Sequence, residues 1–177
     1  GHHSLQDRAM GFCLFNNVAI CARHLQSIGF AKIAIVDWDV HHGNGTQDAF
    51  YDDPSVYFVS LHQYPFYPGS GAEGETGTGS GRGFTLNVPL AAGSGDAQYR
   101  RAFQEQIIPG LDQFAPDFLL ISAGFDAHRS DPLAQMSLTA SSFEWMSHQL
   151  LEVASRHCCG NLISFLEGGY DGENSGR

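Results

Sequence analysis

Apolar positions fall along the chain in two rhythms. In residues 16–29 they recur at helical spacing, as Val18, Ile20, Cys21, Leu25 and Ile28, with Asn16 placed to cap the first turn and Gly29 to close the last. Residues 33–36 then read I-A-I-V, an apolar strand that runs without pause into D-W-D-V-H-H-G-N-G, ending at residue 45. The following G-N-G-T-Q-D-A-F predicts a short helix, and Pro54 marks a break. Residues 55–61 (S-V-Y-F-V-S-L) are the β-branched and aromatic run of a strand buried on both faces, ending at His62. Residues 63–83, dense in Gly, Pro, Ser and aromatics, are too many for a plain connection and predict a functional loop. A short strand follows in residues 84–90, stopped by Pro89. Asp96 starts a helix through Tyr99, Phe103, Ile107, Ile108 and Leu111, which Pro109 either kinks or ends. Residues 117–122 (D-F-L-L-I-S) are another buried strand. Thr139 caps a long helix carrying Phe143, Met146, Leu150, Leu151 and Val153, and residues 161–166 form the last strand.

Strands alternating with helices predict an α/β fold with a parallel sheet and right-handed crossovers, in which ligands bind beyond the carboxyl ends of the strands. The unusual polar residues sit there: Asp37, Asp39 and His41 after one strand, His62 after the next, Asp126 after a third, and Gly168, Gly169 and Tyr170 after the last. Side chains two apart on an extended chain share a face, so Asp37, Asp39 and His41 point one way and Trp38, Val40 and His42 the other. A lone aspartate in such a place serves equally well as a turn cap, and Gly1-His2-His3 taken alone reads as the remnant of a purification tag. Independent caps and turns would not collect on one edge, and this convergence argues for an active site. Asp39, His41 and Asp126 supply two oxygens and one nitrogen to a divalent ion and leave room for water and substrate. The tandem histidines offer proton transfer, and a tyrosine on a Gly-Gly loop can donate to a developing oxyanion. That ensemble describes hydrolysis of an amide or a related bond. The glycines of the long loop do not make a phosphate cradle, because no Lys-Ser/Thr follows and two glutamates lie among them. Phe66 and Tyr67, beside Pro65 and Pro68, read as aromatic walls of a cleft, with surface packing as the alternative.

Composition narrows the field. With 177 residues, 42% of them hydrophobic, and 21 glycines, the chain makes one domain over residues 1–177. Nine basic against nineteen acidic residues give a net charge of −10, which argues against nucleic acid and suits a cationic substrate. Cys13, Cys21, Cys158 and Cys159 show no C-x-x-C spacing and no secretory signal precedes them, so they read as reduced thiols in a cytoplasmic protein. No apolar run approaches the roughly 18 residues of a membrane span. Both ends read as cut, so a fragment is expected; no feature sets the oligomeric state.

G-H-H-S-L-x-D-x-A-M-G-F-C-x-x-N-N, V-D-W-D-V-H-H-G-N-G-T-Q, V-S-L-H-Q, S-A-G-F-D-A-H-x-x-D-P-L and E-G-G-Y resemble, in order and over essentially the whole chain, the motifs of the histone deacetylase superfamily, which includes acetylpolyamine amidohydrolases. The family carries a His-His pair ahead of G-F-C, which rescues His2-His3 from the tag reading. The resemblance implies a three-layer parallel-sheet arginase/deacetylase-like fold, truncated at both ends, holding part of one catalytic domain. It implies a zinc ion on Asp39, His41 and Asp126, although this ligand set also accepts iron(II) or cobalt. His3, in preference to His2, becomes the general base, and His2 an electrostatic or acid partner hydrogen-bonded to Asp37. Asn44 stands where some members have an aspartate; Asn at this position resembles the class II branch, and the pKa of His3 should be lower than in an Asp-bearing relative. Tyr170 matches the transition-state tyrosine. Gly11 and Phe12 would line the acyl-lysine channel with Tyr67 opposite and Gly168 and Gly169 at its base. The resemblance further implies a structural potassium ion near Asp37, Asp39, His41, Ser60 and Leu61, and a second cation near Phe50, Asp53, Val56 and Phe84. His62, His128 and Glu167 are expected in structural roles. Substrates would be an acetyl-lysine peptide or protein, or an acetylated polyamine. The alternatives are a catalytically silent acyl-lysine or metal-binding module and an arginase-like di-manganese hydrolase, which wants more metal-facing aspartates than this chain offers.

Overall fold

The computed structural model describes residues 1–171. Five parallel strands form one sheet: β1 (Ile33–Asp37), β2 (Val56–Gln63), β3 (Thr85–Leu90), β4 (Phe118–Ala123) and β5 (Leu162–Leu166). Their spatial order is β3-β2-β1-β4-β5. Helix α1 (Asn17–Ser27) precedes β1 and α2 (Asn44–Phe50) follows it; α3 (Asp96–Ala102), α4 (Ile108–Phe114) and α5 (Ala140–His157) come later. The period of two in the strands divides the core. Ile33 and Ile35, with Val56, Phe58, Phe118 and Leu120, pack on Val18, Ala22 and Leu25 of α1 and Phe50 of α2. Ala34 and Val36, with Val59, Leu61, Leu119 and Ile121, pack against α3, α4 and α5 through Tyr99, Leu111, Met146 and Leu150. A sheet covered on both faces is the three-layer arrangement expected of parallel strands.

The order of strands fixes where a site can form. From β1 the chain moves outward through β2 and β3, then returns to place β4 on the other side of β1. The crevice at such a reversal, outside the carboxyl ends of β1 and β4, is where an open α/β sheet can receive a ligand.

Several elements differ in detail from expectation. Pro89 does not end its strand. It lies inside β3 opposite His62, on the sheet edge, where a missing ladder donor is tolerated. Pro109 neither ends the long helix nor simply kinks it. A π turn at Phe103–Ile107 separates α3 from α4, and Pro109 falls in the first turn of α4, where no intrahelical N–H is required. On α1, Ile20 and Ile28 are 57% and 60% exposed and Ala19 and Ala22 take the buried face. Thr139 precedes α5 without a side-chain cap bond to that helix. Its hydroxyl donates to Asp96 Oδ2 (2.8 Å) and its N–H to Asp96 Oδ1 (3.0 Å), tying the starts of α3 and α5 together.

Asn16 does cap α1, its Oδ1 accepting from Ala19 N–H (3.1 Å), and its Nδ2 donates to Thr46 Oγ1 (3.1 Å) on α2. The side chain is 9% exposed, so Asn16→Ala removes a cap and strands a buried hydroxyl. The substitution is expected to lower unfolding free energy by about 2 kcal/mol. Urea unfolding monitored by circular dichroism measures it; a loss below about 0.5 kcal/mol would contradict this role.

Candidate metal centre and active site

β1 ends at Asp37, and the chain then turns sharply enough that Asp39 and His41 still face one point. Asp37 Oδ1 accepts the N–H of Asp39 (3.1 Å), and Asp39 Oδ1 accepts the N–H of His41 (2.9 Å). These two aspartate-to-backbone turns set the spacing of D-x-D-x-H. Asp126 arrives from the loop after β4, its Oδ1 accepting the N–H of Val40 (2.9 Å). One ligand atom from each of Asp39, His41 and Asp126 lies within 4.8 Å of the others. His41 Nδ1 stands 3.1 Å from Asp39 Oδ1 and 3.0 Å from Asp126 Oδ2. Two oxygens and a nitrogen so gathered fit a divalent ion with open positions, the donor chemistry of zinc, iron(II) or cobalt.

The electrostatics agree with that fit. Burial opposes charge on His41, but bonds to Asp126 and Asp39 lift its pKa to about 9. Burial and the Asp39 charge push Asp126 up to about 6. Asp39 is buried too, yet His2 and His41 hold it well below the usual carboxylate range. The carboxylates thus retain a proton on His41 at neutral pH, which a metal bound at this trio would displace.

His2 and His3 reach the site from the amino-terminal segment, which α2 seats: Gly45 and Thr46 N–H donate to the His2 carbonyl (3.0 and 3.2 Å). The two rings lie 4.1 Å apart and have opposite fates. Both are buried, at 3% and 4% exposure. Burial works against a charge on His2, but Asp37, whose Oδ2 lies 2.7 Å from Nδ1, and Asp39 override it and raise its pKa to about 10. His3 has no such partner. Burial and repulsion from His2 lower its pKa to about 3. Its Nδ1 lies 2.7 Å from Asn44 Oδ1, while Asn44 Nδ2 donates to the His3 carbonyl (3.4 Å). Asn44 therefore accepts from Nδ1–H and leaves His3 Nε2 as the acceptor.

A cleft of 310 Å³ opens over these groups, lined by His3, Gly11, Phe12, His41, Tyr67, Leu133 and Tyr170. Tyr67 meets His3 edge-on (5.1 Å), and Phe66 stacks on His41 (5.3 Å, 18°). Phe12, at the mouth, is 93% exposed. At Gly11 (φ 56°) a Cβ would come within 2.2 Å of the His3 ring. Gly168 lies behind the site rather than in the cleft wall. Its N–H donates to Asp39 Oδ2 (2.8 Å), and a Cβ there would strike the carboxylates of Asp126 (2.3 Å) and Asp39 (2.6 Å). Gly169 lies against Phe125. Tyr170, 42% exposed, has its pKa raised to about 12 by burial and the charges of Asp39, Asp126 and Asp131. Glu167 braces the site from below, accepting from His2 N–H (3.2 Å) and Ser122 Oγ (3.3 Å), and His128 accepts from Ser130 N–H (3.3 Å) in its own turn.

Sequence reasoning missed three participants. Asp131 fixes two cleft residues with one carboxylate, accepting from Leu133 N–H (2.9 Å) and Tyr170 N–H (2.7 Å). Leu133 itself was hidden in D-P-L. His42, assigned only to the opposite face, joins His62 beneath the long loop, rings 4.8 Å apart. His42 lies 2.8 Å from Ser70 Oγ and 3.0 Å from Gln47 Oε1; His62 lies 3.0 Å from Ser60 Oγ and 2.8 Å from the Gly71 carbonyl. Only the alternation of the two rings along the strands hinted at this.

The fold is that of a known class. The histone deacetylase domain model matches residues 1–177, and the chain belongs to that family. It is 49% identical to histone deacetylase 10, chloroplastic, of Oryza sativa subsp. japonica over 98% of its own length and 40% of that protein's. It is 46% identical to a probable deacetylase of Archaeoglobus fulgidus, covering 99% of this chain and 49% of the other. The structure superposes on the HD domain of HDA15 with TM-score 0.92 at 46% identity, covering 97% of this chain and 49% of that one. On an acetylpolyamine aminohydrolase from Burkholderia pseudomallei the TM-score is 0.88 at 39% identity, with 97% and 49% covered. The chain spans about half or less of the length of these relatives. No helix among the described residues is long and apolar enough to cross a membrane.

His42 and His62 make the fold acid-sensitive. Burial, and for His42 the neighbouring His62, lower both pKa values from 6.5 to about 4. Above pH 6.5 both states are neutral and stability is complete. Between 6.5 and 4 the unfolded chain binds protons that the folded chain refuses, so stability falls by about 1.4 kcal/mol per pH unit for each histidine. Urea midpoints at about pH 7, 6 and 5 should drop accordingly, and His62→Gln should flatten the slope; an unchanged slope would exclude this origin.

Proposed function

We propose that this chain carries the catalytic core of a zinc-dependent deacylase that hydrolyses the amide of acetyl-lysine or of an acetylated amine such as a polyamine. The observation that carries the reading is the placing of a neutral, acceptor-ready His3 beside the Asp39–His41–Asp126 trio at the floor of an aromatic cleft. Asp39, His41 and Asp126 would hold a divalent ion, whose Lewis acidity would make water more acidic and polarise an amide carbonyl. His3 Nε2, unprotonated at neutral pH, takes the proton from the attacking water. His2 stays protonated on Asp37 and contributes a fixed positive charge 3.6 Å from Asp39. The Tyr170 hydroxyl, protonated well above neutrality, donates to the oxyanion, and Asp131 anchors its backbone. Phe12, Tyr67 and Leu133 flank a linear alkyl stem, and the −10 net charge favours a cationic carrier. The same reading includes, on the family resemblance alone, a structural potassium ion near Asp37, Asp39, His41, Ser60 and Leu61.

Metal analysis alongside acetate release from an acetyl-lysine peptide and from acetylspermidine tests the assignment. A folded protein holding one zinc and releasing no acetate from either would sink it. Stoichiometric two-manganese loading with urea production would favour the arginase-like alternative.

Tyr170→Phe keeps the ring and removes the donor. Turnover is expected to fall by about 10²–10³ with zinc content unchanged; near-normal turnover would refute the role. Asn44→Asp should raise the His3 pKa by placing a carboxylate 2.7 Å from Nδ1. Because the base must be unprotonated, the acid limb of the kcat/KM profile should move to higher pH, and a limb that stays or moves down would oppose His3 as the base.

A further inference from the structure

The cleft wall formed by Phe66 and Tyr67 belongs to a loop with no strand or long helix of its own, so something else must hold the wall in place. The hydrogen bonds beneath the loop identify it. Glu75 folds back on its own turn, its carboxylate accepting from the N–H of Gly71 (3.0 and 3.1 Å) and of Ala72 (3.0 Å). It also accepts from Gln47 Nε2 of α2 (2.7 Å). Gln47 Oε1 in turn accepts from Asn87 Nδ2 of β3 (2.7 Å) and from His42 Nε2 (3.0 Å), and Asn87 Nδ2 donates as well to the Glu75 carbonyl (3.0 Å). His62 Nε2 donates to the Gly71 carbonyl (2.8 Å), and Ser70 Oγ donates to His42 Nδ1 (2.8 Å). Every donor in the chain meets an acceptor, and both imidazoles are neutral with Nε2 protonated. The ladder joins β2, β3 and α2 to the turn that follows Tyr67, and it includes His42, the immediate neighbour of His41 in the metal trio.

We propose that Glu75, acting through Gln47, is a positioning residue that sets the Phe66–Tyr67 wall against the metal centre and so fixes the width of the cleft that takes the alkyl stem of the acylated amine. It is outside the metal trio and the cleft lining, and it determines how well the cleft binds a linear alkyl stem. The proposal rests on the deacylase reading for its kinetic test only.

The direction of the bonds supplies the experiment. Glu75→Gln is isosteric but sets an amide N–H₂ against Gln47 Nε2, two donors face to face, because Gln47 Oε1 is already committed to Asn87 and His42. The exchange Gln47→Glu with Glu75→Gln restores the order. The new amide at position 75 would accept from Gly71 and Ala72 and donate to the new carboxylate at position 47, which would still accept from Asn87 and His42. In zinc-loaded protein, Glu75→Gln should raise KM for an acetyl-lysine peptide about tenfold with kcat within about threefold. Amide exchange across residues 64–72 should quicken by about tenfold, while zinc affinity in a chelator competition stays within about threefold. The double exchange should return both KM and amide exchange toward wild type. Unchanged KM and unchanged amide exchange in Glu75→Gln, or a double exchange no better than the single substitution, would overturn the proposal. Wild-type protein that releases no acetate would overturn the deacylase reading instead, and the amide-exchange comparison would still decide the role of Glu75.

Discussion

Three carboxylates buried on one edge of the sheet set the terms for the rest of the site. Asp37, Asp39 and Asp126 are 0%, 1% and 0% exposed, and an uncompensated ion in such surroundings costs several kcal/mol. Each must meet a donor or a cation. Backbone N–H groups of Asp39, Val40, His41 and Gly168 supply part of the answer, and the turns that present them are the turns that define the motif. His2 answers Asp37, and His41 answers Asp39 and Asp126 together. Two imidazolium charges do not fully offset three buried carboxylates: burial, then the charge of Asp39, raises Asp126 to about 6, and burial raises Asp37 to about 7. A divalent cation in place of the His41 proton would offset the remaining negative charge, an electrostatic reason, apart from any catalytic argument, for proposing a metal here.

The same constraint explains why α2 starts where it does. Its first N–H groups have no partners within the helix, and the His2 carbonyl occupies two of them. The helix therefore delivers a histidine pair from the far end of the chain to the carboxyl edge of β1, and Asn44 at its first position reads the orientation of the second ring. Sheet topology does the other half of the work, because only the reversal between β1 and β4 brings Asp126 beside Asp39 and His41.

How much of this was legible in the sequence depended on whether a residue's partner was near or periodic. The strands, both faces of the core and the edge on which polar groups gather followed from apolar runs and the period of two, and the trio Asp39, His41 and Asp126 did converge. The helix cap at Asn16 was equally plain because the contact is local. Pro89 and Pro109 were misjudged because each is excused by context, an edge strand in one case and a π turn in the other, which single residues do not announce. Asp131 and Leu133 escaped because a D-P-L turn is chemically ordinary until its carboxylate is seen holding Tyr170. The loop was expected to be functional, yet its glutamates were used only to reject a phosphate cradle; that Glu75 caps its own turn while holding α2 required the tertiary contact.

Five histidines gathered on one edge show how surroundings assign charge to a single residue type. His2 and His41 each face carboxylates and are held protonated, whereas His42 and His62 face a hydroxyl and neutral amide or carbonyl oxygens and are held neutral. The division is spatial: charged rings stand at the carboxylates, neutral rings beneath the loop. A neutral ring can both donate and accept, which a protonated ring cannot, so only neutral histidines can serve as links in the ladder that carries the cleft wall. His3 belongs with the neutral set by charge and with the metal centre by position. That combination, an unprotonated acceptor kept so by burial and a neighbour's positive charge beside the Asp39–His41–Asp126 trio, is what the proposed proton transfer from water rests on.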